Sequence, residues 1–182
     1  MVFGITGCLQ KEIQIKLFTL GRFGGRVFAP VQVLYRLLID SINSAIDWAV
    51  DLGMTVIYIK HNNLSPGTRT FKPDTKGAEL VPELKIVSDH IFVKTKANAL
   101  TSGEFSEYIR KNGIDEFYIT GADATGCVKS TCFNMTKAGY AVHVISDCVT
   151  SYDLKKMPEM LSYYADKGCE VGALNEWNRD ML

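Results

Sequence analysis

Residues 121–132 read G-A-D-A-T-G-C-V-K-S-T-C and hold the residues best suited to chemistry in this chain. The apolar, aromatic run Phe117-Tyr118-Ile119 before them has the length and type of a buried strand. Val128, Cys132, Met135 and Ala138 follow at helical spacing, and Gly139 stands where a C-terminal cap belongs. The spacing therefore predicts a strand, a tight Gly-bounded turn and a helix, with Cys127 in the first helical turn. A thiol there meets the positive end of the helix dipole and unpaired backbone N–H groups. Both favour the thiolate, which is the nucleophilic form, and the same N–H groups can hold an oxyanion. The competing reading is that Cys127 is plain core, because cysteine is among the most buried residue types. Cys8, Cys132, Cys148 and Cys169 lie in or near apolar runs without such a turn and read as inert.

Lys94 is the second candidate, at the C-terminal end of a strand predicted over residues 91–93. Alone, such a lysine reads as solvated, its stem lying along apolar surface. Facing Cys127, its ammonium lowers the pKa of the thiol and steadies a developing anion.

The elements that must bring these residues together follow from the patterning. Pro30 suits a first helical position, and Val31, Leu34, Leu38, Ile42, Ala45, Ile46 and Ala49 predict a long helix over residues 31–52. Residues 54–59 form a continuous apolar run of the kind found in a sheet buried on both faces. The segment 60–77 reads as a long loop, and 78–84 as a short helical piece. Thr101-Ser102-Gly103-Glu104 has capping-box spacing and opens a helix that runs to Gly113. After the central unit come a strand over 141–145 ending in Ser146-Asp147, a helix over 155–167 and a weak strand at 169–171. Residues 12–17 alternate polar and apolar, as a half-buried strand does. Strands alternating with helices call for one α/β domain over residues 1–182, a parallel sheet covered on both faces, with residues 1–30 atypical. Sites in such folds form at the carboxyl ends of strands, where His61, Lys94, the turn before Cys127 and Asp147 all fall.

Composition narrows the class. With 20 Lys plus Arg against 20 Asp plus Glu there is no net field to draw in nucleic acid or an anionic membrane. Near-zero net charge weakens self-repulsion and permits a homo-oligomer. An odd count of 5 cysteines, without C-x-x-C, implies reduced thiols and a cytoplasmic setting. No apolar run reaches the roughly 18 residues that span a bilayer.

Three segments together resemble the isochorismatase-like cysteine hydrolases: F-V-K-T-K-A-N-A-L-T, F-Y-I-T-G-A-D-A-T-G-C-V-K-S-T-C and A-G-Y-A-V-H-V-I-S-D-C-V-T-S. They come in the family's order and spacing within roughly residues 37 to 175. The resemblance implies a three-layer α-β-α domain with a parallel, roughly six-stranded Rossmann-like sheet. It also implies a Cys/Lys/Asp triad acting on amides or related carbonyl substrates, without a cofactor. Cys127 matches the nucleophile and Lys94 the triad lysine. A cis peptide at Ala122–Asp123 is implied, aiming the N–H groups of Asp123 and Cys127 at one oxyanion. Asn98-Ala99-Leu100 and Ala124 depart in residue type from the family pattern, which bears on the substrate. Arg69, His61, Asn98 and Ala122 are the substrate-binding candidates, Arg69 as a bidentate clamp on a carboxylate.

The family's aspartate at the end of the first strand, in D-x-Q, has no counterpart, for no Asp precedes Asp40. Glu12-Ile13-Gln14 is the nearest match, and Glu12 is the candidate stand-in for proton transfer, provided that residues 12–17 or 2–9 supply that strand. Near His61 stand Asn62 and Asn63, so a zinc-type site lacks ligands. The expected function is hydrolysis of a C–N bond in a small amide through a thioester. The alternatives are an impaired relative that keeps its pocket for binding or regulation, and a thiol-redox protein, which the missing resolving cysteine disfavours.

Overall fold

The computed structural model describes residues 2–5 and 31–179. Its sheet has six strands: β1 (Val2–Ile5), β2 (Thr55–His61), β3 (Ile91–Lys94), β4 (Glu116–Ala122), β5 (Ala141–Thr150) and β6 (Glu170–Gly172). They lie in the order β3-β2-β1-β4-β5-β6, and every pairing is parallel. The described helices are α1 (Val31–Asp51), α2 (Gly103–Lys111), α3 (Cys127–Lys137), α4 (Met157–Asp166) and α5 (Leu174–Arg179).

Period-two alternation along the strands makes the layers. Val56 and Tyr58 of β2 and Tyr118 of β4 face a core with Tyr35, Ile39, Ile42 and Ile46 of α1, against which Trp177 of α5 packs. Ile57 and Ile59, with Phe117 and Ile119, face the opposite core, built with Phe105 of α2, Val128 and Met135 of α3, and Tyr164 of α4. A strand buried on both faces cannot alternate in hydropathy, which is why β2 and β4 read as unbroken apolar runs. The α/β class, the three layers and the parallel six-stranded sheet are as the sequence predicts.

Several local expectations are corrected. The first strand is Val2–Ile5, in the middle of the sheet between β2 and β4; the run 12–17 and Glu12 lie outside the described residues. The capping box at residues 101–104 does not form. Thr101 Oγ1 donates to the Asn98 carbonyl at 2.6 Å, while α2 starts from Ser102, whose side chain makes no cap bond. The helical piece expected over 78–84 is a 3-10 turn at Lys76–Ala78. Strand β5 runs on to Thr150, past the break in its ladder with β4: Ile119 pairs with Val144 but Gly121 pairs with Val149. Gly121 takes φ 119°, open to glycine and strained for other residues, where the register slips. The sequence reads as ending its strand at Ile145 because polar Ser146-Asp147 break the apolar run there. Among the described residues, no helix is long and apolar enough to cross a membrane.

Candidate active site

Strands β2, β3 and β4, the first two adjacent and the third separated from them by β1, end at one edge of the sheet and supply the site. In the β2–β3 register His61 is the partner of Lys94, and the turn after β4 leads into Cys127 at the start of α3. The Lys94 side chain has no exposed surface. Its Nζ donates to the carbonyls of Lys96 at 3.0 Å and Ala97 at 2.9 Å, and to Cys127 Sγ at 3.1 Å. His61 Nδ1 lies 3.2 Å from that Nζ and 3.8 Å from Sγ. Cysteine, lysine and histidine therefore form one cluster at the carboxyl edge, where open α/β sheets place their sites.

A buried ammonium is costly unless paired with an anion or fully hydrogen-bonded. Among the described contacts of Lys94, two are neutral carbonyls and one is an imidazole, so the sulfur is the group that can offset the charge as thiolate. The alternative in which Lys94 is solvated is ruled out by its burial. Cys127 itself is half-buried, open enough for a substrate to reach.

The turn before Cys127 is tied down on several sides. The Ala122–Asp123 peptide is cis, as the resemblance implies. The Asp123 carbonyl accepts from the N–H groups of Gly126 (3.0 Å) and Val128 (3.1 Å), and its carboxylate accepts from Thr125 N (3.1 Å) and Thr125 Oγ1 (2.9 Å). The side chain of Asp123 is thus spent on the turn. Ala124 N donates to the Thr150 carbonyl at 2.8 Å, and Tyr164 Oη donates to the Ala124 carbonyl. Burial pushes the Tyr164 hydroxyl above the usual tyrosine range, so it stays a donor. On the other side, Thr131 Oγ1 of α3 accepts from Ala99 N at 3.0 Å and holds the 97–99 loop whose carbonyl grips Lys94.

The remaining sequence candidates are less central. Asn98 caps the 3-10 turn at Ala99–Thr101, its Oδ1 accepting from Leu100 N at 3.0 Å. Ala122 is buried at the end of β4. Arg69 is exposed in the loop after β2, with no bond to the cluster among the described residues. Asp147 Oδ1 accepts from Leu174 N at 3.0 Å, a structural role. His61 is the residue whose place the sequence undersold: read as a substrate contact, it stands beside Cys127. Its signal was there, in a histidine and a lysine ending successive strands, but the register that pairs them is a tertiary fact.

The other described cysteines are core. Cys132, Cys148 and Cys169 are all buried. Burial and then the Asp147 charge push the Cys148 thiol up. A hydrogen bond shared with Cys169, followed by burial, pushes Cys132 up as well. Cys8 lies outside the described residues. Among the described residues, no group of three or more His, Cys, Asp and Glu side chains is placed to hold a metal ion.

Comparison with known proteins places this geometry. The family profile described as the isochorismatase domain matches residues 29–176. An isochorismatase family protein of Bacillus subtilis (strain 168) is 24% identical over 126 residues, which is 69% of this chain and 66% of that protein, just short of two thirds of its length. Among solved structures, an isochorismatase family protein from Desulfovibrio vulgaris superposes with TM-score 0.79 at 17% identity, covering 99% of this chain and 97% of that one. N-carbamoylsarcosine amidase from Thermoplasma acidophilum superposes with TM-score 0.73 at 19% identity, covering 95% and 96%. At these identities the structural likeness establishes the fold.

Proposed function

Because the chain belongs to the isochorismatase family, we propose that it is a cysteine-dependent hydrolase of a small amide or related C–N substrate. The observation that carries this reading is the fully buried Lys94, its Nζ 3.1 Å from Cys127 Sγ. The thiolate attacks the carbonyl carbon, and the oxygen becomes an anion held by the N–H groups of Asp123 and Cys127. The C–N bond breaks, the amine leaves with the proton that Cys127 gave up on ionising, and a thioester remains on Cys127. Water then cleaves the thioester, releasing the acid and restoring the thiol. The family's fold, the half-buried nucleophile and the fixed turn support this sequence of steps. The amide assignment draws on the superposition with an amidase. We place the enzyme in the cytoplasm as a single-domain homo-oligomer, on its odd cysteine count and balanced charge.

A second reading, a relative that keeps the pocket for binding or regulation, is favoured by the lack of any aspartate before Asp40. The two separate cleanly in a turnover assay. Ammonia release is followed with N-carbamoylsarcosine and a series of primary carboxamides, and the acyl-enzyme is sought by intact-mass spectrometry. Release that disappears in Cys127→Ser, with an acyl adduct on Cys127, is expected. Release that persists in Cys127→Ser rejects the thioester route, and no release from any amide favours the binding protein.

A further inference from the structure

The proposed hydrolysis puts negative charge on the carbonyl oxygen, so the N–H groups that meet it must stand at a fixed distance from the sulfur. We infer that Tyr164, from α4, is the positioning residue that fixes them. This inference rests on the hydrolase reading above and adds a residue to it.

Residues 123–128 form a closed unit. The Asp123 carbonyl accepts from Gly126 N and Val128 N, and its carboxylate accepts from Thr125 N and Thr125 Oγ1. These bonds lie inside the turn, so they set its shape but not its place against the rest of the site. Its place is set at Ala124, which has no exposed surface. Ala124 N donates to the Thr150 carbonyl at the end of β5 at 2.8 Å, and the Ala124 carbonyl accepts from Tyr164 Oη. Both polar groups of this residue are thus held, by two elements of which neither carries Cys127 or Lys94. A further contact from outside, between Thr125 Oγ1 and Ser151 Oγ, is long at 3.5 Å. In the hold on Ala124, β5 uses its main chain and α4 uses the Tyr164 side chain, which is buried and lies 40 residues further along the chain.

The sulfur is anchored separately, by Lys94 Nζ at 3.1 Å. Asp123 lies next to Ala124, and among the described residues its N–H makes no hydrogen bond. With the sulfur tied to Lys94 and the Asp123 N–H tied through Ala124, the distance between nucleophile and oxyanion donor depends on the tyrosine. A rigid ring that spans the core and ends in one O–H suits this task. A buried carbonyl deprived of its donor shifts to find another, and the N–H one residue away moves with it. An oxyanion donor works at about 2.7–3.1 Å from the developing charge, and a displacement of about 1 Å costs on the order of a hundredfold.

The test compares two reactions of the same sulfur in the full chain. p-Nitrophenyl acetate acylates Cys127 through a tetrahedral oxyanion: the S–C bond forms, the C–O bond breaks and nitrophenolate leaves. Iodoacetamide alkylates it by displacing iodide from a saturated carbon, and no oxygen takes up charge. Acylation is followed as the nitrophenolate burst that Cys127→Ser lacks, and alkylation by peptide mass spectrometry. Tyr164→Phe removes the hydroxyl. Replacing Tyr164 with 4-fluorophenylalanine fills the hydroxyl's space without a proton, and serves if urea denaturation shows the phenylalanine variant unfolded. Either folded variant is expected to acylate about tenfold or more slower, while its alkylation stays within about twofold of the wild type. If both rates are unchanged the inference is overturned, because the turn keeps its place without the tyrosine. If both slow alike it is also overturned, because Tyr164 then acts on the sulfur or on the fold at large. Met160→Ala, a cavity in the same helix and core, is the packing control; an equal fall in its acylation relative to alkylation gives the effect to packing and overturns the inference again. The wild type alone tests the hydrolase reading: without a Cys127-dependent burst that reading fails, and the role of Tyr164 fails with it.

Discussion

Lys94 Nζ and Cys127 Sγ are 3.1 Å apart, and the lysine has no exposed surface. The pair is thus a stability element as well as the centre of the proposed catalytic site. Removing one member strands the other: Cys127→Ala leaves the lysine with carbonyls and an imidazole, and Lys94→Met leaves the sulfur without that donor. A cycle of Lys94→Met, Cys127→Ala and the double variant, by urea denaturation, is expected to show a favourable coupling of about 1–3 kcal/mol. Additive effects within about 0.3 kcal/mol would mean that the contact carries no charge interaction.

Reactivity should divide the described cysteines sharply. Cys127 is half-buried beside a cation, whereas Cys132, Cys148 and Cys169 are buried, with burial opposing ionisation of the first two. Native protein treated with iodoacetamide at pH 7 is expected to carry the label on Cys127 before any of the other three, by at least about tenfold in rate. Peptide mapping that finds Cys132 labelled equally fast would contradict the site.

Thr131 reaches the lysine at one remove. Its Oγ1, in a fully buried side chain, accepts from Ala99 N at 3.0 Å. Thr131→Val keeps the shape and strands a buried N–H, which costs about 1–3 kcal/mol. The urea midpoint should fall accordingly, and Cys127 alkylation should slow as the 97–99 loop loosens its hold on Lys94. Thr131→Ser restores the acceptor and most of both losses; failure of serine to restore either would assign the effect to packing.

Alkali should unfold the protein through its tyrosines. Burial, and then the Glu116 charge, push Tyr118 from 10.0 up to about 12, and burial moves Tyr35, Tyr58 and Tyr164 the same way. Above pH 10 the unfolded chain loses protons that the folded chain keeps. The stabilisation is therefore complete below pH 10 and is lost as pH rises toward 12 for Tyr118, by about 1.4 kcal/mol per pH unit for each such group. Urea midpoints taken from pH 9 to 11 are expected to drop, and Tyr118→Phe should make the decline shallower by about one proton. A slope unchanged in Tyr118→Phe would show that its hydroxyl titrates alike in both states.

Most of the site's frame is legible in the sequence because strand ends and Gly-bounded turns are local signals. Cys127 and Lys94 each sit at such a boundary, and burial on both faces leaves unmistakable apolar runs in β2 and β4. What is lost is what depends on register. That His61 faces Lys94 follows from β2 pairing with β3, which no local pattern encodes. The described strand Val2–Ile5 has 4 residues with a glycine among them, too few to show a period. Helix α5, with 6 residues, is short for the same test. Thr101 illustrates a competing local bond: its hydroxyl turns back to the Asn98 carbonyl and forgoes the cap that its spacing suggests.

The position of β1 has one more implication. It is the seam between two half-sheets, β3-β2 on one side and β4-β5-β6 on the other. His61 and Lys94 belong to the first half and Cys127 to the second, so the cluster straddles a gap that one short strand fills. Two interstrand spacings, about 10 Å in all, are set by the backbone ladder of Val2–Ile5. Cys127 and Lys94 are thus brought within 3.1 Å of each other by a segment that contributes neither of them. Assembly of the reactive pair is consequently yoked to the docking of the chain's earliest residues, which must await the synthesis of β4 before both of their edges are satisfied.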